Sequence, residues 1–146
     1  MKDLSTVLSA IALAVSAAVM LSLVHAAITT PAPPIAYMAD GGAVDARAKS
    51  GAMVNVTRSY LITYATPITI TRALIDGECT KKCRVFEMPD APVINLQPGL
   101  YHQTRVLKLP DGMPPGKYKL VFFATWQGWF GREYQVKAPE LQIEIE

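Results

Sequence analysis

The chain has 146 residues, with 14 Lys and Arg against 12 Asp and Glu and a formal net charge of +2. So even a balance argues against a nucleic-acid partner, which needs a strongly basic face. Once an apolar leading segment is set aside, the length suits one small domain.

That leading segment, Leu4 to Ile28, reads LSTVLSAIALAVSAAVMLSLVHAAI and contains no Asp, Glu, Lys or Arg. Its length is that of a bilayer-spanning helix, about 20 apolar residues. A secretory signal would have a shorter apolar core, although Val24-His25-Ala26 has the spacing of a cleavage site. The run is long for a signal, and we expect a retained transmembrane anchor over residues 1–28. Lys2 precedes the span and no charge follows it closely, which favours the amino terminus inside and the remainder outside. Ala10, Ala14 and Ala18 recur at every fourth residue. Small residues at that spacing let helices approach closely in lipid, though alanine is also common in export segments without that purpose.

Residues 29–50 change character. Pro31, Pro33 and Pro34 favour an extended stem, Gly41-Gly42 loosens it, and Ala43 to Lys49 suits a short helical turn. This predicts a tether. From Gly51 the apolar period becomes two, as in half-buried strands. Val54 and Val56, then Tyr60, Ile62 and Tyr64, alternate with polar residues, and an interruption near Thr57 to Ser59 suggests a bulge or a strand that changes sheets. Further strands are expected over Ile68 to Ile75, Arg84 to Met88, Gln103 to Leu109, Lys117 to Trp126 and Arg132 to Glu146. Pro and Gly turns separate them, and no amphipathic helix intervenes.

Short, regularly spaced strands of this kind predict an all-β fold, an antiparallel sandwich over residues 51–146. The stretch from Leu107 to Leu120 sharpens it to an immunoglobulin-like sandwich. It places Tyr118 where such folds keep a tyrosine whose hydroxyl bonds backbone a few residues upstream. Tyr118, Leu120, Phe122, Ala124 and Trp126 then face inward, and Val121 and Phe123 outward. The apolar parity changes between Val136 and Leu141, which predicts a bulge at Ala138-Pro139-Glu140.

Few residues offer chemistry. Cys79 and Cys83 are the only cysteines. In an exported domain they would form a disulfide closing a hairpin end. Two thiols alone make a poor zinc site, and their spacing is not that of a redox motif. Lys81, Lys82 and Arg84 crowd the same tip, where they could meet an anionic partner or simply be solvated. Trp129 and Phe130 occupy a loop between two strands, a position that suits a contact surface or a plug for the end of the sandwich. Phe123 would extend that surface. His102 lacks triad neighbours, and Asp76, Asp90 and Asp111 sit beside Gly or Pro in turns. We therefore expect no enzyme, no cofactor and no metal.

An apolar leading segment, the Asp76-Gly-Glu-Cys-Thr-Lys-Lys-Cys83 hairpin and the Leu109-Pro110 to Pro115-Gly-Lys-Tyr118 corner together resemble small membrane proteins encoded by tailed phages. The resemblance implies a product acting at the host envelope or on the virion, and carries no active residues with it. The resulting expectation is a structural or interaction protein of the bacterial inner membrane. It would cross once and hold its β domain in the periplasm, or belong to a virion membrane. Its partners would be the membrane, through the helix, and a protein or a second copy of itself. A glycan- or peptidoglycan-binding module using the aromatic loop is the alternative.

Overall fold

The computed structural model describes residues 4–28, 32–89, 92–128 and 131–146, with the side chains of the helix from Val7 to His25. Helix α1 (Leu4–Ile28) is 25 residues long. At 1.5 Å per residue that is about 38 Å, enough to cross a hydrocarbon core of about 30 Å. Its Val7–His25 stretch has a mean hydropathy of 2.5. The helix is apolar around its whole circumference, the pattern of an element buried on all sides by something other than water. Ser16 and Ser22 satisfy their hydroxyls within the helix, bonding the carbonyls of Ala12 and Ala18 at 2.8 and 2.9 Å. In lipid, no water would satisfy them. Ala10, Ala14 and Ala18 lie exposed along one side.

The β module comprises residues 33–127 and 133–146. Its strands are β1 (Ile35–Val44), β2 (Arg47–Ala48), β3 (Met53–Ile62), β4 (Ile68–Asp76), β5 (Val85–Glu87), β6 (Val93–Ile94), β7 (Gly99–Lys108), β8 (Gly116–Gln127), β9 (Glu133–Lys137) and β10 (Leu141–Ile145). One sheet has the order β1-β3-β7; the other runs β2-β10-β8-β4-β5, with β6 also on β4 and β9 also on β8. Every pairing is antiparallel except β2 on β10, where Arg47 lies opposite Glu144 and Ala48 opposite Ile145. The chain is thus mostly β, in antiparallel sheets, after one apolar helix.

Several expectations need correction. The tether over 29–50 stops short, because Ile35 to Val44 pairs with β3 in two stretches, Ile35 to Tyr37 opposite Ile62 to Tyr60 and Gly42 to Val44 opposite Arg58 to Val56, with a register shift between them. The helical turn expected over Ala43 to Lys49 is instead the end of β1 and β2. The β module therefore begins well before Gly51. The expected bulge near Thr57 to Ser59 lies in the partner strand: the β3 ladder with β7 is continuous from Met53 opposite Lys108 to Ile62 opposite Gly99, whereas in β1 residues 38–41 stand opposite Ser59 alone. The inward file of β3 is Val54, Val56, Arg58, Tyr60 and Ile62, all buried. The apolar alternation is unbroken, and a cation occupies its middle position.

Other expectations agree. β9 and β10 both pair with β8, and the register slips by one residue between them, from Phe123 opposite Lys137 to Leu120 opposite Leu141. That slip is the bulge at Ala138-Pro139-Glu140, and it returns Leu141, Ile143 and Ile145 to the core. Tyr118, Leu120, Phe122, Ala124 and Trp126 are buried as expected. Val121 is not outward-exposed: it is fully buried, and Phe123 beside it is half-buried.

The core falls into two apolar clusters. The larger gathers Val54, Val56, Leu74, Leu107, Leu120 and Phe122 with others from both sheets. The smaller gathers Ile35, Tyr60, Ile62, Ile68 and Ala124. Between them, from opposite sheets, come two buried arginines, Arg58 and Arg72.

Candidate functional site

Both arginines occupy equivalent places in their strands. The inward file of β4 is Ile68, Ile70, Arg72 and Leu74, so each strand turns a guanidinium into the space between the sheets. A cavity of about 60 Å³ opens there. Its polar lining is Tyr37, Arg58, Tyr60, Arg72, Gln103 and Arg105, and its apolar walls include Val56, Ile70, Leu107 and Phe122. No Asp or Glu is among its described lining residues.

Arg58 is held in detail. Its guanidinium carbon lies 4.5 Å from the centre of the Phe122 ring, a cation–π arrangement. Gly42 lies opposite Arg58 in the β1–β3 ladder. A Cβ at position 42 would stand 2.8 Å from Arg58 Nη1, so the guanidinium lies directly against the Gly42 backbone. On its other side, Gln103 of β7 is the cross-strand neighbour. Gln103 Oε1 accepts from the Tyr60 hydroxyl at 2.8 Å and from Arg105 Nη2 at 3.3 Å.

Two donors of Arg58, Nε and Nη2, are buried without an acceptor. Buried polar atoms are nearly always bonded, and an uncompensated buried charge is costly. Burial accordingly lowers the Arg58 pKa from its ordinary value, with Tyr37 acting in the opposite sense. Burial also pushes the Tyr37 hydroxyl up to about 12, against the pull of Arg58. Tyr60 is raised for the same reason. The site is a set of neutral hydroxyls and cations in a low-dielectric space, suited to receiving negative charge.

The residues singled out from sequence lie elsewhere. Cys79 and Cys83 are joined by a disulfide, with their Cα atoms 5.3 Å apart, in the β4–β5 hairpin. Lys81 and Lys82 are exposed at that tip, and Lys82 adopts a left-handed backbone with φ of 51°. Trp129 and Phe130 fall outside the described residues, so the glycan reading that depends on them gains nothing here. His102 lies on the exposed face of β7, its Nδ1 2.6 Å from Ser59 Oγ. Among the described residues no group of three His, Cys, Asp or Glu is placed to hold a metal. The arginines escaped the sequence reading. Their signal was present: one cation within an otherwise apolar alternating file, in two strands.

No family model matches the chain, and no curated protein does. Among solved structures it is similar to one from Pseudomonas fluorescens, the alkylpurine DNA glycosylase AlkC bound to DNA containing an abasic site analog. The identity is 14%, the match covers 86% of this chain and 33% of that one, and the TM-score is 0.49. The chain thus spans about a third of that protein's length. The expectation that the chain is no enzyme is corrected: the structure it is similar to belongs to an enzyme. A missing linear motif is also poor ground for excluding chemistry, because reacting groups can converge from separate loops. At this TM-score the likeness carries no argument about activity, substrate or DNA.

Proposed function

We propose that the chain is a membrane-tethered interaction protein whose β module docks an extended segment of a partner protein along β7. The observation that carries this is the β7 edge. It is ten residues long and pairs with β3 on one side, and among the described residues no strand covers the other. Leu100 and Val106 on its outer face are 67% and 62% exposed. Long uncovered edges are templates for another strand, and strand addition takes its affinity from main-chain bonds and its specificity from alternate side chains.

We further infer an immunoglobulin-like sandwich. What supports it is the order β1-β3-β7 against β10-β8-β4-β5, and the Tyr118 hydroxyl donating to the Pro114 carbonyl at 2.9 Å. The tether reading rests on α1, and an outward placement on the Cys79–Cys83 disulfide, since such bonds persist in oxidising compartments. Both accord with the phage envelope proteins that the motifs resemble.

A photo-crosslinking residue placed at 106, in native membranes, tests the reading. A discrete adduct is expected from 106 and not from 142, an exposed position on β10. Leu100→Lys should remove it while the module stays folded. Equal crosslinking from both positions would refute the β7 edge as the docking surface, and an adduct only with a second copy would refute a separate partner.

A further inference from the structure

We propose that the cavity between the sheets is a binding site for a small monocarboxylate with a short alkyl stem, gripped by Arg58. This does not depend on the β7 docking reading. The geometry of the guanidinium leads to it. Nη1 is turned toward Gly42 on β1. The edge of the triangle opposite Nη1 is the one carrying Nε and Nη2, and those are the two buried donors without an acceptor. That edge therefore turns away from β1, toward the side where Gln103 and Arg105 of β7 line the cavity. Parallel Nε–H and Nη2–H bonds are the fork that a carboxylate meets with its two oxygens. The Phe122 face below and Gly42 beside it hold the fork in place.

Chemistry and size narrow the ligand. Arg58 is 7% exposed, so an unpaired charge there is not relieved by bulk water. Ile70, Leu107 and Val56 form apolar walls that suit an alkyl stem and would oppose the further charged oxygens of a phosphate. A cavity of about 60 Å³ admits a group of a few heavy atoms and excludes a large ligand. The arrangement matches the usual composition of small-molecule sites, apolar walls with a few placed polar groups.

Calorimetric titration of the full chain in uncharged detergent micelles tests the proposal, with sodium butyrate as the probe and butyramide as its neutral isostere. Butyrate is expected to bind one to one and butyramide not at all. Arg58→Met should weaken butyrate binding by more than tenfold. Gln103→Glu, which keeps the acceptor for Tyr60 and places a carboxylate opposite the fork, should abolish binding while leaving the melting temperature equal or higher. The second variant keeps the test open should the first fail to fold. Equal binding of butyrate and butyramide, no binding of either, or undiminished binding by Gln103→Glu would overturn the proposal.

Discussion

Gly42 and Arg58 make one unit at the smallest scale. The backbone of one is the floor under the side chain of the other, and a methyl at position 42 would stand 2.8 Å from Nη1 and 3.0 Å from Leu141 Cδ2. Gly42→Ala is expected to displace the Arg58 guanidinium from its place on Phe122, at a cost of about 1 kcal/mol or less in stability. Chemical denaturation measures this, and the loss should shrink when Arg58→Met is added, since one obstructing group is then replaced by a flexible one. Tyr37 gives a second test at this scale. Its folded-state pKa is pushed from 10.0 up to about 12, so the protonated form is favoured by folding. The associated stability is fully present below pH 10 and is lost as the pH rises through 12. Ultraviolet titration should find tyrosine ionisation extending into that window, and Tyr37→Phe should remove its latest part and flatten the fall in stability there. Glu140 shows the opposite sign. A hydrogen bond from Lys137 lowers its pKa, so its contribution is present above the ordinary value of 4.5 and fades as the pH falls through the folded value.

Among the elements, the corner before β8 and the β4–β5 hairpin make separate demands. The Tyr118 hydroxyl bonds the Pro114 carbonyl, and Tyr118→Phe keeps the ring while removing that bond. A loss of about 1–3 kcal/mol is expected, read from the unfolding midpoint. The Cys79–Cys83 bridge closes a loop with a sequence separation of only 4. Chain-entropy arguments scale with loop length, so the double change to Ser should cost about 2 kcal/mol, at the low end of what disulfides typically contribute. Both features are legible in the amino-acid sequence, as is the bulge at Ala138-Pro139-Glu140. Each leaves a local mark: a turn signature, a cysteine pair, a change of parity.

β1 left no such mark. Its residues Ile35 to Val44 read AYMADGGAV after the first, with no apolar alternation, and β3 imposes the strand by pairing. Tertiary context decides strand formation more often than intrinsic preference does. The candidate site was hidden for a different reason. An apolar file interrupted by Arg58 looks like a broken strand, because arginine is rarely buried. Parity alone, 54 to 62 in steps of two, preserves the strand and identifies the buried cation.

For the molecule as a whole, the arginines set stability against binding. They line the cavity beside Val56 and Phe122 of the larger core cluster and Ile35 and Tyr60 of the smaller one. Replacing a buried ionic group with an apolar one of similar size often stabilises by about 1–4 kcal/mol. Arg58→Met gives up the contact with Phe122, about 1 kcal/mol, and removes the buried charge. A net rise in unfolding midpoint is expected, together with the loss of carboxylate affinity. A fall would mean that the guanidinium is a structural tie.

The one parallel pairing has a mechanical meaning. β2 follows β1 closely, and β2 and β10 run side by side in the same direction. The Glu144 amide bonds the Ala46 carbonyl and the Glu146 amide bonds the Ala48 carbonyl, each at 3.0 Å, while Arg47 pairs with Glu144 at 3.2 Å. A load drawing β10 along its axis away from the start of β2 would slide these strands past each other in shear. Their bonds would have to yield together instead of unzipping one at a time. The parallel staple thus ties the segment that leaves β1 to the closing strand β10, and the two would resist such a load jointly.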